Sequence, residues 1–222
     1  MRVTRHGIWE IIIGTVALAV VGVGLGFLHP LASLVVLPVW VWLIAFFRDP
    51  ERPISGDPDV YVSPADGVVS DITPVTNDPH LGGDGIRIGI FLSVFNVHVN
   101  RSPCAGKVTN VVYKEGKFLN AMNHGGASSD NESNTIVIAD DASRPVAVVK
   151  QIVGLIARRI VCTATPGTLL ARGERFGMIK FGSRTELTIP AWLTPDVKVT
   201  VGQKVRGAID VIATTAAAPT SR

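Results

Sequence analysis

The chain has 222 residues, 47% of them hydrophobic and 18% charged, with a net charge of +3, which is enough for one sizeable domain plus an appendage. Mild basicity, with a pI near 9.1, suits an anionic surface, and no Lys/Arg block of the kind that binds nucleic acid is present. The two cysteines, Cys104 and Cys162, lie far apart in apolar, strand-like settings and read as buried free thiols, which argues against a disulfide framework or a metal site.

The mean hydropathy of +0.36 is high, and the excess is concentrated in the first 50 residues. Residues 11–28 carry no charge, and a second apolar run, 31–47, follows directly after His29-Pro30. Each run is near the roughly 20 residues that cross a bilayer. The doubling and the length argue against a cleavable signal peptide. Arg2 and Arg5 precede the pair, and Arg48 and Arg52 follow it. By the positive-inside tendency this predicts a helical hairpin in the cell membrane with both ends on the cytoplasmic face. Gly14, Gly22, Gly24 and Gly26 also permit a shallower, re-entrant insertion.

After Arg48 the composition turns to Pro, Asp and Arg, as in a linker. The expected organisation is a membrane-associated helical segment over 1–47, a linker over 48–59, a β-rich domain over 60–212 and a flexible tail over 213–222. Within the domain, short β-branched runs such as IRIGIFLS, TIVIAD, VAVVKQIVG and TELTIP alternate with Gly, Pro, Asn and Asp. That pattern predicts a mainly β fold, an antiparallel sandwich or barrel-like architecture. The polar, Gly-rich stretch 116–134 reads as a long loop.

Phosphate-binding glycine loops, paired-Cys zinc motifs and a Gly-x-Ser-x-Gly elbow are all missing. The residues left for chemistry are Asp66, His98, Arg101, His124, Glu132, Lys180 and Ser183. Asp66 sits in SPADGVV, a turn entering a strand. Strand alternation in FNVHVNR places Asn96, His98 and Asn100 on one face, a polar row beside an apolar one. His124 and Glu132 fall on the long loop, where a surface role is the default. Ser183 follows Gly182 inside the run FGMIKFGSRTELTIP. A hairpin turn there is the plain reading. Asp66, His98 and Ser183 could alternatively form a Ser-His-Asp set. Gly182 leaves its carbonyl unobstructed, so the serine is also placed to attack its own backbone.

The segments PADGVV, FNVHVNRSP, GKFLNA, NESN, GLIARRIVC and GERFGMIKFGSR resemble the short bacterial and archaeal form of phosphatidylserine decarboxylase proenzymes, over roughly residues 48–211. Longer members carry a Tyr-His-Arg-Val-His type segment where this chain has VHVNR; His98 falls on the first histidine and Arg101 on the second, so roles of the second histidine do not carry over. The resemblance implies that Ser183 attacks the Gly182 carbonyl with His98, oriented by Asp66, as base. Elimination and loss of ammonia then leave a covalent pyruvoyl group at position 183, with a large chain 1–182 paired to a small chain 183–222. The implied reaction converts phosphatidylserine to phosphatidylethanolamine and carbon dioxide, with the pyruvoyl carbonyl as electron sink and His98 as proton donor, without metal or pyridoxal phosphate. Arg101, Lys180 and Arg184 are the expected contacts for the substrate phosphate or carboxylate. Exposed β edges favour a homodimer of the processed pair. The sequence leaves open archaetidylserine as substrate, a membrane-tethered lipoyl/biotinyl-like adaptor domain and an anchored Ser-His-Asp hydrolase.

Overall fold

The computed structural model describes residues 2–54, 57, 59–119, 129–154, 159–180 and 182–216. His124, the middle of the 116–134 stretch and the last six residues of the tail lie outside these. The chain divides into two compact units, Met1–Glu51 and Arg52–Arg222.

The first unit is a pair of helices, α1 (Ile8–Leu28) and α2 (Val36–Phe46), joined by a 3-10 segment, Pro30–Val35. His29 caps that segment, its Nδ1 accepting the Leu31 N–H at 3.2 Å, and Pro30 takes the first position, where a missing N–H costs nothing. Small residues let the helices approach closely. A Cβ at Gly7 would strike the Phe47 ring and one at Gly14 would strike Leu43. Trp40 Nε1 donates to Thr15 Oγ1 at 3.0 Å across the pair. The open end is closed by Thr4 N–H to Phe47 O at 2.9 Å and Asp49 N–H to Arg2 O at 2.8 Å.

Among the described residues one helix, Arg5–Leu28, is long and apolar enough to cross a membrane. The second apolar run does not form a second such helix. It contains six residues of 3-10 helix and 11 of α-helix. At about 2.0 and 1.5 Å rise per residue these span roughly 28 Å, close to a bilayer core of about 30 Å. The tighter 3-10 winding compensates for the shorter run.

The second unit is mainly β and antiparallel, as expected. Its strands are β1 (Val60–Val62), β2 (Gly67–Asp78), β3 (Gly83–Leu92), β4 (Val99–Arg101), β5 (Gly106–Lys114), β6 (Ser133–Ala139), β7 (Pro145–Val153), β8 (Arg159–Cys162), β9 (Leu169–Leu170), β10 (Arg175–Lys180), β11 (Ser183–Pro190), β12 (Asp196–Val197), β13 (Lys204–Val205) and β14 (Val211–Thr214). An eight-stranded sheet has the order β13-β2-β3-β11-β7-β6-β5-β9, and two three-stranded sheets are ordered β1-β14-β12 and β4-β10-β8. Register shifts in β2, β5 and β6 mark bulges or irregularities, and bulges bend a sheet and raise its twist, which suits its curled, half-barrel form. Its concave face buries Val69, Ile88, Ile90, Ile136, Ile138, Val149, Leu187 and Ile189 together with Phe176 from β10. Both cysteines are free. Burial pushes the Cys104 thiol up to about 12, so it is an inert packing group.

Candidate active site

The run that reads as one interrupted strand is two strands in two sheets. β10 ends at Lys180, paired with Arg159 of β8. β11 begins at Ser183, paired with Leu92 of β3 and Val153 of β7. The chain therefore passes from one sheet to the other between Lys180 and Ser183, and β10 and β11 do not pair as a hairpin. Gly182 makes the crossing with φ +64, a left-handed conformation that other residues adopt at a cost. Space is not the reason for the glycine, since a Cβ there would meet only Val94 Cγ1, at 4.0 Å. Gly182→Ala is accordingly expected to fold, at a penalty of roughly 1–2 kcal/mol for the left-handed turn. It should slow any reaction that needs this turn, read as precursor remaining in a time course on denaturing gels.

Ser183 is fully buried. Its hydroxyl makes no hydrogen bond among the described residues. A chain of buried polar groups explains how the two sheets are aligned beside it. Asn134 Nδ2 donates to Gln151 Oε1 at 3.1 Å, Gln151 Nε2 donates to Asn100 Oδ1 at 2.9 Å and to Val161 O at 3.2 Å, and Asn100 Nδ2 donates to Thr185 Oγ1 at 3.0 Å. Thr185 pairs with Gln151, and Gly177 pairs with Asn100, so these residues lie at one level of the interior.

The next level holds His98 and Ser183. Ile179 N–H donates to His98 O at 3.2 Å. Ile179 packs on Val153, and Val153 is the β7 partner of Ser183. His98 is two residues before Asn100, and Ser183 is two residues before Thr185, so both side chains keep the parity of the linked pair below them. His98 is fully buried. Its Nδ1 lies 3.0 Å from Asn96 O, an arrangement in which Nδ1–H donates and Nε2 is the basic nitrogen.

Asp66 does not complete this pair through a hydrogen bond to His98. Its carboxylate is bound by Arg52, with NH1 to Oδ1 at 2.5 Å and NH2 to Oδ2 at 2.8 Å, and it accepts the Gly207 N–H at 2.8 Å. Arg52 also donates to Gly207 O at 2.5 Å. The pair ties the end of the linker to two turns of the β unit. The side chains are 6% and 12% exposed, so removing one partner strands a buried charge. Arg52→Ala is expected to destabilise the protein by about 3–5 kcal/mol, measured by thermal or denaturant unfolding, and Asp66→Asn by less, because an amide keeps part of the hydrogen bonding.

The basic residues fare differently from expectation. Arg184, which sequence places next to the serine, points to the opposite face of β11 by strand alternation. It is fully buried, with Nε donating to Glu186 Oε1 at 2.8 Å, NH1 to Ser70 Oγ at 2.5 Å and NH2 to Asp71. Burial raises the Asp71 carboxyl, but hydrogen bonding and charge from Arg184, with Ser70 and Arg87 adding to them, leave it below the ordinary carboxylate range. A guanidinium held this way is a structural cross-link between β2 and β11 and not a contact for a substrate anion. Arg101 is buried at the far end of β4, with NH1 donating to Gly173 O at 3.1 Å. Lys180 is buried at the end of β10, two residues before Gly182. Glu132 adjoins the same end, its backbone carbonyl accepting the Val153 N–H at 3.1 Å.

In the sequence Arg52 reads only as a charge flanking the apolar segment, and Gln151 and Thr185 do not stand out as site residues. The polar row Asn96–His98–Asn100 was a usable signal, and so was Gln151, an amide within the apolar strand VAVVKQIV. Among the described residues no group of three or more His, Cys, Asp and Glu is placed to hold a metal ion.

The phosphatidylserine decarboxylase family model matches residues 41–213. Among curated proteins, the phosphatidylserine decarboxylase proenzyme of Carboxydothermus hydrogenoformans is 44% identical over 208 residues, covering 94% of both chains. Proteins of the same name from Cupriavidus metallidurans and Geotalea daltonii are 42% and 46% identical, over 80% and 75% of this chain and 81% and 76% of their own.

Proposed function

The chain belongs to the phosphatidylserine decarboxylase family, and on that premise we propose that it cuts its own 182–183 bond and then converts phosphatidylserine to phosphatidylethanolamine and carbon dioxide. The observation that carries this reading is the sheet-to-sheet crossing at Gly182, with a buried Ser183 hydroxyl directly after it that makes no hydrogen bond among the described residues. Such a hydroxyl is available to attack, and the left-handed glycine before it has no side chain to crowd the approach.

In this mechanism His98 Nε2 takes the Ser183 Oγ proton as Oγ bonds to the Gly182 carbonyl carbon. Collapse of the tetrahedral centre transfers the acyl group from N to O, and His98 returns the proton to the leaving amine. Loss of the Ser183 α-proton then expels the Gly182 carboxylate from the β-carbon, and hydrolysis with release of ammonia leaves a ketone at position 183. Its surroundings suit a pyruvoyl group, because the residue is buried and held by Leu92 and Val153 after the bond to Gly182 is lost. When formed, the pyruvoyl carbonyl supplies the electron sink for decarboxylation. Lys180 is the candidate for holding the substrate's anionic head, and His98 for returning a proton to the product. The Arg52–Asp66 pair acts indirectly, fixing the turn at residues 64–67, whose Pro64 carbonyl accepts the Arg101 N–H and so anchors β4.

The helical unit is read as a membrane tether. It exposes Trp9, Ile13, Val20, Val23, Phe27, Leu28 and Leu31, a surface that water does not favour and lipid does. Arg2, Arg5 and Arg48 at its charged end support a cytoplasmic side for that end by the positive-inside tendency. Arg52, expected to share this task, is instead bound to Asp66.

Intact-mass measurement of purified active protein tests the whole reading. The expected result is two chains, 1–182 and 183–222, the smaller lacking a free amino terminus and reducible by borohydride. Activity residing in one unbroken chain would overturn it.

A further inference from the structure

We propose that the Ser183 end of the catalytic unit docks onto a lipid bilayer through its own apolar rim of Phe95, Phe118 and Leu119, a contact additional to the helical tether. The proposal rests on the reading of Ser183 as the reactive residue acting on a lipid.

Single exposed apolar side chains need no explanation. These three are distinguished by where the strand pairing puts them. Ser183 lies between Leu92 and Val153, and each neighbour leads to an exposed apolar tip. Beyond Leu92, the chain turns at residues 93–96. Asn96 Oδ1 accepts both the Ser93 N–H and the Ser93 hydroxyl at 2.8 Å, so the turn is internally tied and holds Phe95 outward at 72% exposure.

On the other side the link is Asn131, which is fully buried. Its Nδ2 donates to Val153 O and to Leu119 O, and its Oδ1 accepts the Leu119 N–H, all at 2.8 Å. One side chain thus fixes the Phe118–Leu119 backbone to the strand beside Ser183, while Phe118 and Leu119 stay 38% and 36% exposed. Pinned backbone with outward apolar side chains is the arrangement of a contact surface.

The exposed lysines, together with the lipid nature of the proposed substrate, favour lipid over protein as the occupant. Phe95 shares the wall of a cleft of about 530 Å3 with Lys204 and with Arg206, which is paired to Asp210, and Asp66 lines the same cleft. Lys114 and Lys117 are exposed near Phe118 in the chain, Lys114 donating to Ser129 O and Lys117 paired with Asp130. Aromatic tips bordered by lysine suit the headgroup boundary, where rings enter the acyl region and ammonium groups remain at the anionic surface. A substrate with two acyl chains reaches a buried Ser183 most directly if the mouth of the site faces the bilayer.

The test uses the full chain in phosphatidylcholine vesicles. Phe95→Ser, Phe118→Ser and Leu119→Ser are combined, and turnover of long-chain phosphatidylserine in the bilayer is compared with that of a short-chain, water-soluble phosphatidylserine. The expected outcome is complete self-cleavage, a soluble-substrate rate within about two-fold of wild type and a bilayer rate lower by roughly ten-fold, with Trp at 95 and 118 restoring it. An unchanged ratio of the two rates overturns the proposal, as does an equal fall in both. A change in oligomeric state with the ratio unchanged would assign the rim to a second copy of the chain and likewise overturn it. Failure of wild type to self-cleave would instead sink the underlying functional reading.

Discussion

Ser183→Ala is expected to leave the protein as one polypeptide of 23.6 kDa that releases no carbon dioxide from phosphatidylserine. The substitution removes one oxygen, and that oxygen has no hydrogen bond among the described residues to lose. The fold should therefore stay intact, with an unfolding midpoint close to that of a processing-deficient control. Deleting a buried hydroxyl that made no partner is close to neutral in stability. The combination is diagnostic. A core residue whose removal unfolds the chain would also abolish activity, whereas here loss should be complete without any cost in stability. Denaturing electrophoresis and thermal unfolding on the same sample read the two halves. A cleaved or active Ser183→Ala protein would refute the mechanism.

His98→Gln should slow self-cleavage by about 10²–10⁴-fold, the range typical of removing a positioned general base. Glutamine keeps a hydrogen-bonding side chain of similar reach and can still donate to Asn96 O, so the turn at 93–96 should persist. It cannot accept and return a proton near neutral pH. The uncut precursor should accumulate, and whatever fraction matures should decarboxylate slowly, because the same imidazole is assigned the return of a proton to product. If the precursor matures at the wild-type rate, His98 is not the base. If maturation alone is slow while the matured fraction has wild-type turnover, His98 serves processing but not decarboxylation.

Both predictions concern residues that sequence had already selected, yet for Ser183 the local reading was a turn. The motif GERFGMIKFGSR carried the resemblance; the physical reason for Gly182 became visible only when β10 and β11 proved to lie in different sheets. A strand pattern interrupted by glycine is the same string of letters whether the chain reverses within a sheet or leaves it. Likewise the polar row at 96, 98 and 100 was legible because alternation is a local property, but its partner Thr185 lies 85 residues away from Asn100 in sequence.

Charged residues were the poorest guide. Proximity to Ser183 in sequence made Arg184 an attractive anion contact, and strand alternation sends it to the opposite face, into Asp71 and Glu186. Asp66 looked like the third member of a catalytic set, and it is held by Arg52, a residue assigned from composition to a linker. A charge buried in the fold must find an opposite charge, and which one it finds depends on how distant segments come together.

The sequence by itself determined the apolar helical segment, the mainly β domain and the family, and it singled out the Gly-Ser junction proposed to react, because periodicity, composition and motifs are properties of neighbouring residues. The tertiary structure alone decided that this junction joins two sheets, that the His98 backbone pairs with Ile179 of β10, and that Asp66 and Arg184 are bound by other charges. Those facts depend on strand order and register, which arise from burying the apolar faces of two sheets against each other and appear in no single stretch of the chain.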